Sequence, residues 1–113
     1  MEQKSLHNFI EYGEEKFTKR VVFKEGESTV FMLNFAPQQA LPSHKHPGTN
    51  VYILVIDGGG TFTIDGKEVK VQKNDVILCT AEEEMAFLND GQENTSLYVM
   101  LNKIPDERFA QNI

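Results

Sequence analysis

From residue 17 onward apolar and polar side chains alternate with a period of two, and this alternation most constrains what the chain can fold into. Successive side chains on a strand point to opposite faces, so such a pattern buries one face and wets the other. The alternating runs are Phe17–Lys24, Thr29–Ala36, Thr49–Ile56, Thr61–Ile64, Glu68–Val71, Asp75–Thr80, Met85–Leu88 and Ser96–Leu101. They are rich in Val, Ile, Phe, Tyr and Thr, and Gly, Asn, Asp or Pro stands between most of them. Asp65-Gly66 joins two of these runs as a hairpin turn, because both residues tolerate positive φ. Many short strands with no room for long helices predict an all-β sandwich or barrel. At 113 residues the chain makes one domain, 1–113, with its core at about 17–101.

The remaining segments carry less pattern. Residues 1–16 are read as a short helix or an extra edge strand, since periodicity does not decide between them. The tail after Leu101, with Pro105 and then DERFAQ, is read as a short arm or a helical turn. The Glu82-Glu83-Glu84 triplet reads as a solvated turn, and Gly58-Gly59-Gly60 as a flexible turn between strands. Val51–Ile56 is apolar at consecutive positions, so both faces of that strand need cover, from the N-terminal segment or from a second subunit; a homodimer is expected. That run is far too short to span a bilayer. The start, MEQKSLHNF, lacks an apolar stretch followed by a small-residue cleavage site, which predicts a cytoplasmic protein without a membrane partner. Eleven Lys plus Arg against seventeen Asp plus Glu leave a net charge of −6, a poor balance for neutralising phosphates, so no nucleic-acid partner is expected. The one cysteine excludes an internal disulfide.

Chemistry concentrates in Leu41, Pro42, Ser43, His44, Lys45, His46, Pro47 and Gly48. Two histidines at i and i+2 on a strand share a face, so their imidazoles can hold one metal ion or one ligand. The segment from His44 to Glu68, HKHPGTNVYILVIDGGGTFTIDGKE, resembles the first motif of the cupin family. That motif runs glycine, five residues, His-x-His, three or four residues, a glutamate, six residues and a glycine. His44, His46 and Gly58 fall in register with it. The second motif maps onto Asn74 to Asn89, with Asp75 and the terminal Asn89 matching. The resemblance implies a double-stranded β-helix, a jelly-roll barrel of two antiparallel sheets, with a divalent transition metal at His44 and His46.

The chain departs from that pattern at the ligands. Gln38 stands at the first glycine, and the glutamate position falls on Val51 by the spacing to Gly58 or on Asn50 by strand parity with the histidines. Met85 stands at the third histidine, and Asn74, Thr80 and Glu82 replace the second motif's Gly, Pro and Gly. Two of the four usual ligands are therefore absent, including the anionic one. Asn50, Cys79 or Met85 is the candidate third metal ligand; a neutral amide and a soft thioether both hold hard divalent ions poorly. Met85 and Phe87 are expected to line the pocket beside the histidines, with Val51 and Ile53, or Tyr52 and Leu54, according to register. A mostly apolar pocket with few polar groups suits a small organic molecule. Three uses are open: a small-molecule or metal binding module at His44 and His46, a metal-dependent dioxygenase, isomerase or decarboxylase, or a structural or interaction protein whose pocket is vestigial, which the apolar outer face of Val51–Ile56 fits. Without a metal a histidine still serves as general acid or base, as in cupins of the carbohydrate-epimerase type, with Tyr52 as partner in the Asn50 register.

Overall fold

The computed structural model describes residues 1–103, so the tail from Pro105 lies outside the described residues. Among the described residues nine strands follow a short 3-10 turn, Leu6–Phe9. They are β1 Thr18–Glu25, β2 Ser28–Phe35, β3 Ala40–His44, β4 Thr49–Asp57, β5 Gly59–Ile64, β6 Lys67–Gln72, β7 Val76–Cys79, β8 Met85–Leu88 and β9 Thr95–Lys103. They form two antiparallel sheets, one ordered β1-β2-β9-β4-β7 and the other β3-β8-β5-β6. The alternating runs all appear as strands, with ends displaced by a residue or two. Asp65 and Gly66 both take positive φ, +49° and +79°, as the hairpin between β5 and β6 requires.

β3 is the strand that alternation misses. Pro42 and Ser43 interrupt its pattern, and its pairing with β8 shifts between Leu41 and His44. Only one side of β3 is paired, and an edge strand tolerates a proline that donates no hydrogen bond.

The core lies between the sheets. Phe31, Leu33, Phe35, Val51, Ile53, Val55, Phe62, Cys79, Met85, Phe87, Leu97 and Val99 belong to one buried cluster. Its aromatic spine runs Phe17–Phe35–Phe87–Phe62, with ring centroids 5.2, 4.9 and 4.6 Å apart. Phe87 is thus a central packing residue, surrounded by other rings.

Gly59 and Gly60 belong to β5 rather than to a flexible turn. A Cβ on Gly60 would stand 2.5 Å from the Phe87 ring, and one on Gly59 would stand 2.5 Å from the Val71 carbonyl oxygen. Close packing, not mobility, is what these two glycines permit. Asn89, fully buried, ties the same end together. Its amide donates to the Phe35 carbonyl at 3.0 Å and the Glu93 carbonyl at 2.8 Å, and its oxygen accepts from Gly91 N–H at 3.1 Å. The acidic triplet forms a turn, in which Glu82 takes a φ of +77° and Glu83 accepts from the Thr80 N–H at 2.7 Å.

The N-terminal segment is neither a regular helix nor a strand beyond its 3-10 turn. It straps the outer face of β1, β2 and β9. Tyr12 donates to Ser96 Oγ at 2.6 Å, Ser96 Oγ donates to Asn34 Oδ1 at 2.7 Å, and Asn34 Nδ2 donates to the Phe9 carbonyl at 2.9 Å. This relay satisfies the buried polar groups of Asn34 and Ser96. The strap stops short of β4 and β7, where Val76 and Leu78 are 70 % and 50 % exposed beside half-buried Tyr52 and Leu54.

Candidate functional site

His44 is the last residue of β3, and His46 lies beyond it in the turn that Pro47 and Gly48 make into β4. The two histidines therefore do not share a strand. Gly48 takes a φ of +70° and Thr49 N–H donates to the His46 carbonyl at 3.1 Å, so the chain reverses instead of extending the pleat. The turn still brings the imidazoles together, with Nε2 atoms 2.9 Å apart and ring planes 83° to each other.

The hydrogen bonds fix the protons on this pair. His44 Nδ1 lies 2.8 Å from the Pro42 carbonyl, which only accepts, so His44 carries its proton on Nδ1. Its bare Nε2 then accepts from the Nε2–H of His46. Burial first, then the neighbouring His44, then Lys19, lower the His46 pKa below the usual histidine value. Lys19 is a residue that sequence reasoning missed. It pairs with Leu33 across the β1–β2 ladder, on the sheet face turned to the core, and its Nζ stands 4.5 Å from the Phe31 ring centroid. Val21 follows it on the same face, 49 % exposed, because β1 is an edge strand. The alternation of Phe17, Lys19 and Val21 held this information, but a lysine at an inward position reads as a frayed edge until the partner sheet is seen.

Strand parity on β4 is now plain. Val51 and Ile53 face the core, whereas Asn50 and Tyr52 occupy the opposite face. Val51, 2 % exposed, pairs with Cys79 of β7 and Leu101 of β9. Asn50 Oδ1 accepts from the Ala81 N–H at 3.2 Å and so secures the turn after β7. Tyr52 pairs with Leu78 and Met100 on the outer face, away from the imidazoles. Met85, also 2 % exposed, is the cross-strand partner of His44. Cys79 is buried in the same cluster, and burial, then Glu83, then Asp65, push its thiol pKa up, which keeps the proton on sulfur. The structure thus brings Met85 to His44 as its cross-strand partner, and buries Val51 in the cluster that contains Met85. Ile53 and Phe87 fall deeper in the core, and Asn50 and Tyr52 fall outside it.

A first-row metal needs three or four donors, commonly with a carboxylate among them. Among the described residues no three of His, Cys, Asp and Glu cluster closely enough to hold an ion. Two imidazoles do not complete such a site. Concavities lie elsewhere, one of about 610 Å³ around Gly58, Gly60, Gln72, Lys73 and Gln92, another of about 310 Å³ over Thr61, Thr63, Leu88 and Asp90. Neither includes His44 or His46.

The family model for the cupin domain matches residues 31–101, most of the chain. The chain belongs to the cupin family. Solved structures agree on the fold of this cupin. The TT1209 protein of Thermus thermophilus is 22 % identical over 93 % of this chain and 100 % of its own, with a TM-score of 0.86. An RmlC-like cupin of Desulfovibrio desulfuricans is 18 % identical over 90 % of this chain and 96 % of its own, with a TM-score of 0.81. A predicted oxalate decarboxylase of Thermotoga maritima is 20 % identical over 69 % of each chain, with a TM-score of 0.67. No curated protein matches the cupin in sequence. Among the described residues no helix is long and apolar enough to cross a membrane.

Proposed function

We propose that this cupin is a cytoplasmic small-molecule-binding protein whose ligand docks against His44 and His46. The observation that carries the reading is the imidazole pair itself, hydrogen-bonded at 2.9 Å, with Met85 paired to His44 and Val51 in the same buried cluster as Met85, where the family pattern has a third histidine and a glutamate. Polar recognition groups set against an apolar wall favour an organic ligand over a resident metal. Thermal-shift screening of small organic molecules against the wild type and a His44→Ala/His46→Ala variant tests it. A ligand at about a hundred times its Kd stabilises by about 2.7 kcal/mol. The reading requires that shift to vanish in the variant; a ligand that shifts both proteins alike refutes it.

One observation favours a second reading, a metal-dependent enzyme. Two nitrogens about 2.1 Å from one ion in neighbouring octahedral positions stand roughly 3 Å apart, close to the 2.9 Å found here. The likeness to the predicted oxalate decarboxylase of Thermotoga is in keeping with that reading. Metal analysis before and after chelation and reloading separates the two, since the second reading needs near-stoichiometric loading that the double variant loses.

The cupin is also proposed to form a homodimer through the outer face of β9, β4 and β7. The outward residues Tyr98, Met100, Tyr52, Leu54, Val76 and Leu78 are all uncharged. Two such faces can meet without like-charge repulsion although each chain carries −6.

A further inference from the structure

We infer that two copies of the cupin join through their β7 edges, Val76–Cys79 of each pairing antiparallel across a two-fold axis so that the two five-stranded sheets become continuous. This rests on the homodimer reading above and names the edge and the register through which that dimer forms. An edge strand offers unpaired N–H and C=O groups to any other chain, and charges, prolines, bulges and covering segments are what keep other chains away. Among the described residues the edges are β1 and β7 of one sheet and β3 and β6 of the other. β1 carries Lys19, Arg20, Lys24 and Glu25, and its ladder shifts between Val21 and Phe23. The N-terminal strap also covers it, with Lys4 Nζ donating to the Val22 carbonyl at 2.7 Å. β3 holds Pro42 and a register shift of its own, and β6 carries Lys67, Glu68 and Lys70. β7 reads VILC, with no charge, proline or bulge, and its Val76 and Leu78 are 70 % and 50 % exposed. It is the unguarded edge.

The backbone says which groups that edge offers. Val55 N–H donates to the Asp75 carbonyl at 2.9 Å, and Asn74 N–H donates to the Val55 carbonyl at 2.8 Å. Backbone groups alternate in direction along a strand, so Ile53 and Val51 also turn theirs toward β7, where Ile77 and Cys79 answer them. The N–H and C=O groups of Val76 and Leu78 therefore point away from β4, and among the described residues nothing takes them up. Thr80 shares their direction but is capped. Its N–H donates to Glu83 Oε1 at 2.7 Å, and its carbonyl accepts from the Glu83 N–H at 3.2 Å.

A second β7 fits these groups in one register. Pairing centred on Ile77 sets Val76 opposite the second copy's Leu78, and Leu78 opposite its Val76, so every free N–H meets a free C=O. Centring on Leu78 instead sets Val76 opposite Thr80, whose groups are engaged by Glu83. Centring on Val76 sets Leu78 opposite Asn74, whose N–H is engaged by Val55. The side chains agree with the first register. Val76 and Leu78 stand on the outer face beside Tyr52 and Leu54, and each gains an apolar neighbour from the other copy. Antiparallel direction also lays the Lys73 end of one strand against the Glu82–Glu83 end of the other. Among the described residues Lys73 belongs to none of the ion pairs, so it meets an acidic turn without giving up a partner.

The test uses the full-length protein. By sedimentation velocity the wild type is expected to be a dimer at micromolar concentration. Leu78→Pro removes an outward N–H and leaves the β4–β7 bonds in place. It is expected to weaken the dimer about 10–100-fold, the worth of one hydrogen bond lost from each copy. Ile77→Cys sets two thiols across the axis, where opposed residues outside the hydrogen-bonded pairs have Cα atoms about 4.5 Å apart, within disulfide reach. Mild oxidation is expected to cross-link this variant into a covalent dimer. The wild type, whose Cys79 is buried, and Val69→Cys on the β6 edge are expected to stay uncross-linked. Amide exchange by NMR is expected to find the Val76 and Leu78 N–H groups protected in the dimer and released on dilution. A dimeric wild type whose Val76 and Leu78 amides exchange freely, and whose Ile77→Cys variant does not cross-link, overturns the edge pairing while the homodimer reading survives. A folded Leu78→Pro protein that dimerises like the wild type does the same. A wild type that is monomeric at micromolar concentration removes the homodimer reading and the edge pairing with it.

Discussion

Val51→Glu puts back the acidic side chain that the family pattern has at this position. Val51 is 2 % exposed and packs in the cluster that contains Met85 and Cys79. A carboxylate there is stripped of water, so its folded-state pKa rises above the unfolded value of about 4.3. The sign follows from linkage. The unfolded chain ionises first, so the penalty is absent below about pH 4.3 and grows by about 1.4 kcal/mol per pH unit up to the folded pKa. If that pKa reaches 7 or more, the cost at pH 7 is about 3.7 kcal/mol, and partnership with the imidazoles reduces it to about 2–3 kcal/mol. The variant is therefore expected to melt about 10 °C below wild type at pH 7 in chelator, and to draw level as the pH falls toward 5. Added zinc or manganese is expected to recover about 2.7 kcal/mol at a hundred times its Kd in this variant. The uncharged Val51→Gln is expected to show neither the pH slope nor the gain with metal. Calorimetric melting over pH 5–8, with and without metal, reads all of this. A Val51→Glu protein whose melting shows no pH slope beyond wild type and no metal response refutes the assignment of the family's acidic position to Val51.

Three further outcomes are expected. Asn89→Ala removes three hydrogen bonds at once and leaves the Phe35 and Glu93 carbonyls and the Gly91 N–H without that partner; a loss of about 3–4 kcal/mol by urea unfolding is expected, and a loss under about 1 kcal/mol contradicts the bracing role. The His46 imidazole is expected to titrate below the normal histidine range by NMR, and to move upward in Lys19→Gln because one of the charges that depress it is gone. Since the folded pKa is the lower one, this group costs nothing above about pH 6.5 and subtracts stability as the pH falls below it. Val76→Lys/Leu78→Lys is expected to convert a dimer into a monomer in sedimentation velocity, whereas a wild type that is already monomeric at micromolar concentration removes the dimer proposal.

The strands were legible because each is a local pattern. Period-two alternation and an Asp65-Gly66 turn are written within a few residues, and nine strands form with only β3 hidden by Pro42 and Ser43. The loss of the family's acidic and third histidine ligands was also readable, since neither Asn50 nor Val51 is acidic and Met85 stands at the third histidine. Which of Asn50 and Val51 turns inward was not. Motif spacing and parity with the histidines disagreed, because parity assumed one continuous strand and His46 lies past the end of β3. Only the fold lets the charge of Lys19 act on His46. Lys19 lies on β1 and His44 on β3, edge strands of different sheets, and His46 follows β3; which strands end as edges is set by the sheet orders β1-β2-β9-β4-β7 and β3-β8-β5-β6. Local alternation states which face a side chain takes. Non-local pairing alone states which other face it meets.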